Sequence, residues 1–515
     1  MKTVSKIEFG DFQTPSGLAR EVCDLLLRLG VSPDAVLEPT AGRGAFLVAA
    51  AAAFPCSSLQ GLEINPEYVC ASKAALTAAD AMQRASVVCQ DFFACDWDKV
   101  LGAINGHLLV LGNPPWITNS GVAVVGGTNL PAKENFLGLR GIAARTGKSN
   151  FDISEWMLIR LLQALRGRTS TIAMLCKTGT ARKFLSYAWQ NDGRIANAAL
   201  HRIDAALHFD ASVDACLLHL QTGVAGTQEA DVFASLSARE PCTRIGLAGK
   251  ELVSDIRAYR ALRHLEGLCP FRWRSGVKHD CAAIMELHLA PDGTVTNTSG
   301  DRLDLEPDCL FPLLKCSDLA NGRTHPKRLV LVTQRFVGDD TSVIATVAPR
   351  TWSYLQTHAP QFQARKSSIY KGRMPFALFG IGEYAFAPWK VAVSGLHRSA
   401  RFQVVGPTGT RPVFFDDASY YLPFEREEDA RTVAEILNSA VCQRFLASLV
   451  FPDSKRPFTV DLMQRLNLAA IAEEAGLGSR WRKLQRSNYA IQAGAVQAEL
   501  VMEERGTPKE KTVPT

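Results

Sequence analysis

A chain of 515 residues is too long for one ordinary core, so two or more domains are expected. With 47% hydrophobic, 21% charged and 8% aromatic residues and no internal repeat or low-complexity tract, the composition is that of a globular protein, not a fibrous or disordered one. A formal net charge of +6 permits a nucleic-acid partner without demanding one.

No run approaches the roughly 18 to 20 apolar residues that span a bilayer. The opening Met1-Lys2-Thr3-Val4-Ser5-Lys6 leads into polar residues and not into a signal-peptide core, so no membrane association and a cytoplasmic location are expected. Thirteen cysteines stand singly, with no Cys-x-x-Cys pair, which argues against a zinc cage or a disulfide framework. No metal is expected.

Phe12-Gln13-Thr14-Pro15 precedes Leu18, Val22, Leu25, Leu26 and Leu29 at helical spacing, with Thr14 or Ser16 as cap and Gly30 as stop. Val36-Leu37-Glu38-Pro39 reads as a strand, and Thr40-Ala41-Gly42-Arg43-Gly44 as a turn whose small residues let a ligand approach the backbone. Residues 45–53 then form a helix. The turn matches neither a phosphate loop nor the three-glycine dinucleotide fingerprint. Strand, Glu-Pro, then Gly-x-Gly resembles the loop beneath the methionine part of S-adenosylmethionine; taken alone, a tight strand-to-helix turn explains it equally well.

A second strand, Ser58 to Glu63, ends in a carboxylate about twenty residues after the glycine turn, the offset of a ribose-binding acid. Asn65-Pro66 starts the next helix. A third strand, Ala85 to Cys89, ends at Gln90-Asp91-Phe92-Phe93, where Asp91 suits an adenine amine and Phe92 a ring face, or a turn and a core aromatic. The fourth strand, His107 to Gly112, delivers Asn113-Pro114-Pro115-Trp116. Proline locks φ, lacks an N–H and restricts the residue before it. This corner is therefore stiff, holds carbonyls clear of any ladder, and sets an indole beside them. Four successive strand ends thus carry polar or glycine-rich clusters on the edge of an open α/β sheet where ligands bind.

Residues 117–149 hold six glycines with Lys133, Arg140, Arg145 and Lys148, a basic loop beside the corner that suits either closure over a substrate or plain surface. An amphipathic helix over 151–165, a fifth strand over 171–176 and the last strands within 198–220 complete the core. A polar break at Gly223 to Gln228 divides the chain into 1–224, 225–470 and a terminal segment 471–515, with a helix over 479–504 and an unstructured tail. The middle segment interleaves cations with aromatics and hydroxyls in Phe271-Arg272-Trp273-Arg274, Lys327-Arg328, Arg365 to Arg373, and His397 to Arg401, which suits phosphate and guanine contacts.

In this order, Phe12-Gln13-Thr14-Pro15, Leu37 to Gly44, Leu62-Glu63, Asp91-Phe92 and Asn113-Pro114-Pro115-Trp116 resemble the gamma-class N6-adenine DNA methyltransferases of restriction–modification systems. That family more often has tyrosine or phenylalanine where Trp116 stands. The resemblance implies an α/β fold: a Rossmann-like, seven-stranded S-adenosylmethionine-dependent core, followed by a mixed α+β target-recognition domain. It implies S-adenosylmethionine as cofactor, bound by Phe12, Thr14, Glu38, Ala41, Gly42, Gly44, Glu63, Asp91 and Phe92. It assigns catalysis to Asn113, Pro114, Pro115 and Trp116, and stacking of the flipped base to Trp116 and Phe209. The implied partner is double-stranded DNA, with a cognate restriction endonuclease encoded separately and the chain acting as a monomer. An RNA adenine or a protein glutamine amide as acceptor, a fused nuclease, and a non-catalytic binding module stand as alternatives.

Overall fold

The computed structural model describes residues 13–117, 152–191 and 194–486. The chain divides into two compact units, Met1–Arg257 and Ala258–Thr515.

In the first unit, β1 (Ala35–Glu38), β2 (Ser58–Glu63), β3 (Ala85–Cys89), β4 (Leu108–Gly112) and β5 (Ser170–Lys177) run parallel. They continue into β6 (Ile195–Ile203), β7 (Ala215–Thr222), β8 (Glu229–Phe233), β9 (Thr243–Ala248) and β10 (Glu251–Val253). The ten strands form one sheet in the order β10-β9-β8-β6-β7-β5-β4-β1-β2-β3. Within it β1 to β7 make the seven-stranded core, with β7 inserted antiparallel between β5 and β6. Every residue of β1 and β4 is buried, as parallel strands covered on both faces must be, which is why these segments read as unbroken apolar runs.

Among the described residues, seven helices accompany the sheet: α1 (Ser16–Arg28), α2 (Ala45–Ala53), α3 (Pro66–Ala78), α4 (Trp97–Gly102), α5 (Ile153–Ala164), α6 (Thr178–Gln190) and α7 (Ala205–Phe209). α1 buries Leu18, Val22, Leu25 and Leu26 in the core that also holds Leu47 and Ala50 of α2. Its N-cap is Pro15, with no side-chain cap, so neither Thr14 nor Ser16 plays the expected part. Thr14 instead faces the candidate site. α3 begins as expected: Asn65 accepts from the Glu67 N–H at 2.9 Å, with Pro66 in the first turn. The polypeptide leaves β1 toward β2 on one side, while β4 lies on the other and leads to β5. The carboxyl ends of β1 and β4 therefore flank the crevice where doubly wound sheets bind ligands.

The second unit contains two sheets. A six-stranded one has the order β14-β13-β12-β16-β15-β19, built from β12 (Glu286–Leu289), β13 (Val295–Thr296), β14 (Arg302–Leu303), β15 (Leu310–Leu314), β16 (Arg328–Leu331) and β19 (Phe414–Phe415). A four-stranded one has the order β11-β20-β17-β18, built from β11 (Arg274–Ser275), β17 (Trp389–Ser394), β18 (Gln403–Val405) and β20 (Ser419–Phe424). Helices Glu427–Asn438 and Ala440–Leu449 lead to three shorter ones ending at Arg486.

The expected domain boundary near 224 is corrected. Gly223 (φ +74°) turns tightly against the Arg168 carbonyl, and the chain then re-enters the same sheet as β8, parallel to β6. Polar glycine-bearing residues mark a turn here and not a linker, and the division falls at Arg257. The segment from 471 is likewise no separate appendage up to Arg486: Trp481 and Leu484 are buried, and Trp481 meets Phe271 edge-on at 6.1 Å. The rest of the expected 479–504 helix and the tail lie outside the described residues, as does the basic stretch 118–149.

His201 on β6 and His219 on β7 are buried, and His201 stacks flat on Phe233 at 4.4 Å. Burial pushes both imidazoles down to about 4. Between pH 6.5 and 4 the unfolded chain takes up protons that the folded one refuses. Stability present above 6.5 is thus lost as pH falls, at about 1.4 kcal/mol per pH unit for each histidine. The urea midpoint should drop markedly from pH 7 to pH 5, and His201→Leu/His219→Leu should flatten that slope. An unchanged midpoint in the wild type would contradict this.

Candidate functional site

The glycine turn closes the carboxyl end of β1. Ala41 N–H donates to Leu62 O at 2.8 Å, tying it to β2, and Gly42 N–H donates to Glu63 Oε2 at 2.7 Å. Gly42 and Gly44 have φ of +51° and +84°. A Cβ on Gly44 would lie 2.4 Å from Ser72 Oγ and 3.1 Å from Ser72 Cα, so a side chain there is excluded by both space and backbone conformation. Gln13 Oε1 accepts from the Arg43 N–H at 3.1 Å and fastens the turn to the segment before α1.

Glu63, at the tip of β2, accepts from Gly42 through one oxygen and from Asn65 N–H (2.8 Å) through the other. Its carboxylate is thereby oriented at the tip of β2. Glu38 is buried, and among the described residues its Oε2 has no hydrogen-bond partner; nor does the buried Thr40 Oγ1. Burial pushes the Glu38 carboxyl well above the usual carboxylate range, the Leu47 backbone lowers it, and the nearby Glu63 charge raises it further. A buried acid lacking one of its partners is a costly arrangement, and a cationic ligand would relieve it.

Asp91 Oδ1 accepts from Phe93 N–H at 2.9 Å, a turn-forming bond. Phe92 packs against Phe93 (5.2 Å) and Trp97 (4.8 Å) and is 4% exposed, so little of its face is open to a ligand. Phe93 stacks on Trp156 of α5 at 4.4 Å. Phe12 lies outside the described residues.

At the end of β4, the Cβ position of Gly112 lies 3.5 Å from Glu38 Cγ, at the end of β1, and 3.6 Å from Met174 Sδ, within β5. Asn113 follows directly. Its Nδ2 donates to Thr14 Oγ1 at 3.3 Å, which brings together two residues 99 positions apart. Pro114 is buried and Pro115 half-buried. The Trp116 indole N–H donates to Leu175 O at 3.4 Å, and its ring meets Phe209, the last residue of α7, edge-on at 5.0 Å. The two aromatics singled out in the sequence are therefore neighbours. No base fits between rings at that spacing, and Trp116 is 4% exposed, so the half-buried Phe209 is the more accessible of the two.

Sequence reasoning missed Lys177 and Asp152. The Lys177 ammonium, at the end of β5, donates to Trp116 O at 2.8 Å and to Asp152 Oδ2 at 2.7 Å. Asp152 is buried, caps α5 through Ser154 N–H (3.2 Å), and also accepts from Ser154 Oγ (2.5 Å). Ile153 N–H donates to Ile117 O at 2.9 Å. A cation ending an apolar strand, and an Asp before an amphipathic helix, were the available signals; that they meet on one carbonyl was not readable.

The basic and aromatic runs of the second unit fare unevenly. Phe271 and Trp273 are buried in its core, and Arg274 sits 4.2 Å over the Tyr384 ring. Arg328 pairs with Asp318 at 3.0 Å. The Arg365 guanidinium lies 3.7 Å over Tyr370 and donates to the carbonyls of Phe362, His279 and Ala377. These side chains hold the unit together. Lys366, Lys371, Arg373, His397 and Arg398 are exposed. Among the described residues no helix is long and apolar enough to cross a membrane, and no His, Cys, Asp and Glu cluster could hold a metal ion.

The chain is 40% identical over 473 residues to the type II methyltransferase M.NspV of Nostoc sp., a match covering 91% of this chain and 98% of the relative. A shorter match, 32% over 108 residues, is to the type II methyltransferase M.XamI of Xanthomonas campestris pv. amaranthicola, covering 21% of this chain and 20% of the relative. Among solved structures, the Type IIL restriction-modification enzyme MmeI in complex with DNA superposes with a TM-score of 0.56. That match covers 90% of this chain and 69% of MmeI at 12% identity, a likeness of fold. No protein-family model matches the chain.

Removing the Lys177 ammonium strands a buried carboxylate. Lys177→Met should cost about 2–3 kcal/mol, and Lys177→Met/Asp152→Asn less than the sum of the two single changes. Chemical denaturation of the four proteins measures this; strictly additive losses would rule out the coupling.

Proposed function

Because the chain belongs to the type II methyltransferases, the modification enzymes of restriction–modification systems, we propose that it methylates N6 of a flipped adenine in double-stranded DNA, at sites selected by the second unit. The observation that carries this reading is the corner itself. Asn113, a side-chain acceptor, and Pro114, whose carbonyl no proline N–H follows into a ladder, stand at the crevice end of β4, beside the β1 turn.

S-adenosylmethionine supplies an electrophilic methyl group on a cationic sulfur. Glu38, Thr40 and the Gly42–Gly44 backbone suit its amino-acid part, a reading supported by the buried Glu38 Oε2 and Thr40 Oγ1, which have no hydrogen-bond partner among the described residues. Glu63 suits the ribose hydroxyls and Asp91 the adenine end, with Phe92 packed behind as support, and Thr14 and Ala41 lining the approach.

The exocyclic amine of adenine is a weak nucleophile because its lone pair is delocalised into the ring. Asn113 Oδ1 and Pro114 O accept its two hydrogens, and that bonding favours a tetrahedral nitrogen with its lone pair free. As the nitrogen gains positive charge, the same acceptors stabilise it, and their rigidity spares reorganisation at that moment. Lys177 fixes the corner through Trp116 O, while Asp152 neutralises a cation that would otherwise oppose the developing charge. An adenine leaves the duplex to reach this depth. Phe209, backed by Trp116, gives its ring a surface, an interaction worth about 1–3 kcal/mol in single-strand binders. Pro115 holds the turn between the acceptors and the indole. The reading carries with it a separately encoded cognate endonuclease, action as a monomer and a cytoplasmic location.

Two experiments test it. Expressed in a host free of DNA methylation, the wild type should leave N6-methyladenine at one recurring genomic motif. Asn113→Ala should reduce that by roughly a hundred-fold or more; unmodified DNA with methyl label in RNA or protein would move the acceptor elsewhere. For the cofactor site, burial raises the Glu38 carboxyl, and below that raised pKa a bound cation would favour loss of its proton. S-adenosylmethionine affinity should therefore rise with pH and level off above the raised pKa, with a proton released on binding. Calorimetry in two buffers measures the proton, and Glu38→Gln should abolish its release; identical heats in the wild type would remove Glu38 from the site.

A further inference from the structure

The second unit carries an exposed apolar tip that its own packing does not explain. Phe336 and Val337 are 48% and 46% exposed on the loop Arg335 to Asp340. This loop is held rigid. Asp339 Oδ2 accepts from the backbone N–H groups of Arg335 (3.0 Å) and Phe336 (2.8 Å), and Gln334 Nε2 donates to Phe336 O at 2.7 Å. Gly338, at φ +103°, makes the turn. Holding two apolar side chains rigidly in water is unfavourable unless something covers them.

A second loop rises from the same base. Thr333 Oγ1 donates to Phe376 O at 2.9 Å, Thr341 Oγ1 donates to Pro375 O, and Gln334 exchanges two hydrogen bonds with the Leu378 backbone. The residues just before this stem include Lys366, Lys371, Arg373 and Met374, all exposed, and among the described residues the three cations make no ion pair. Phe376 anchors the junction. Its φ of +61° is costly for a bulky residue, and its buried ring is wedged edge-on between Trp352 (5.5 Å) and Phe362 (4.9 Å). Arg365, bonded to three carbonyls, fixes the start of the loop. The nearby carboxylates each have a partner: Asp339 as above, Asp340 on the Ser342 N–H at 2.9 Å, and the exposed Glu383 on the Arg335 guanidinium at 3.4 Å.

A stiff two-residue apolar tip, on a stem shared with a loop that carries exposed cations, is too small for a stable protein–protein interface. It has the composition of side chains that pry apart a base step while neighbouring cations hold the backbone. We propose that Phe336 and Val337 insert between base pairs of the DNA duplex, with Lys366, Lys371 and Arg373 on its phosphates. The inference rests on the DNA-methyltransferase reading above and adds the contact by which the second unit deforms its substrate.

The test uses the full-length protein and a short duplex carrying the motif mapped from the host genome, with 2-aminopurine placed in turn at each step outside the methylated base. Wild type should brighten one step. Phe336→Ser/Val337→Ser should abolish that signal and weaken binding about ten-fold, with the salt dependence unchanged. Phe336→Leu, which keeps an apolar wedge, should retain most of both. Lys366→Gln/Lys371→Gln/Arg373→Gln should weaken binding and lower the slope of log affinity against log salt by about 2 to 3. If Phe336→Ser/Val337→Ser binds within two-fold of wild type with the same 2-aminopurine profile, the wedge is wrong although the methyltransferase stands. A wild type that methylates its motif in neither cells nor this duplex defeats the function itself.

Discussion

The ammonium of Lys177 is the interaction on which the geometry of the site depends. It lies 2.8 Å from the carbonyl of Trp116 and 2.7 Å from the Asp152 carboxylate, and so joins the end of β5 to the exit of β4 and the start of α5. Two prolines make the corner locally stiff, but stiffness alone does not aim it. The single cation sets Trp116, and with it the direction in which Asn113 and Pro114 present their oxygens. Under the proposed reading, a lone positive charge here would oppose the charge that the target nitrogen gains. Paired with a buried carboxylate, it acts as a neutral fixture.

The other constraint is the charge balance at the end of β1. Two carboxyl groups, Glu38 and Glu63, influence one another across the glycine turn. Glu63 is satisfied by two backbone N–H groups, whereas Glu38 is buried with Oε2 unpartnered among the described residues. Under the proposed reading, a cationic ligand would relieve this asymmetry. The strand order explains why these two constraints meet: β1 and β4 are adjacent, and the chain departs from them in opposite directions.

Much of the first unit is legible in the sequence because buried parallel strands leave unbroken apolar runs, and because their ends carry unusual residues: Glu38-Pro39, Glu63, Asp91 and Asn113-Pro114-Pro115. That Trp116 and Phe209 act together is implied by the family resemblance and not by any local pattern; the structure sets their rings 5.0 Å apart. What failed, failed for identifiable reasons. Gly223 to Gln228 reads as a linker because a turn between strands of one sheet and a connector between domains use the same residues. Phe271, Trp273 and Arg365 read as a nucleic-acid surface because an aromatic beside a cation looks alike whether it faces phosphate or packs inward, as the Arg365–Tyr370 stack at 3.7 Å does. Lys177 and Asp152 were invisible because long-range contacts to a backbone carbonyl leave no local pattern.

The central claim is that the Asn113 corner modifies an adenine amine. Incubating the purified protein with duplex DNA and methyl-labelled S-adenosylmethionine, digesting the product to nucleosides and separating them by chromatography tests it most directly. The account predicts all label in N6-methyldeoxyadenosine; label in a methylated cytosine, or none in DNA while the protein binds the cofactor normally, would contradict it.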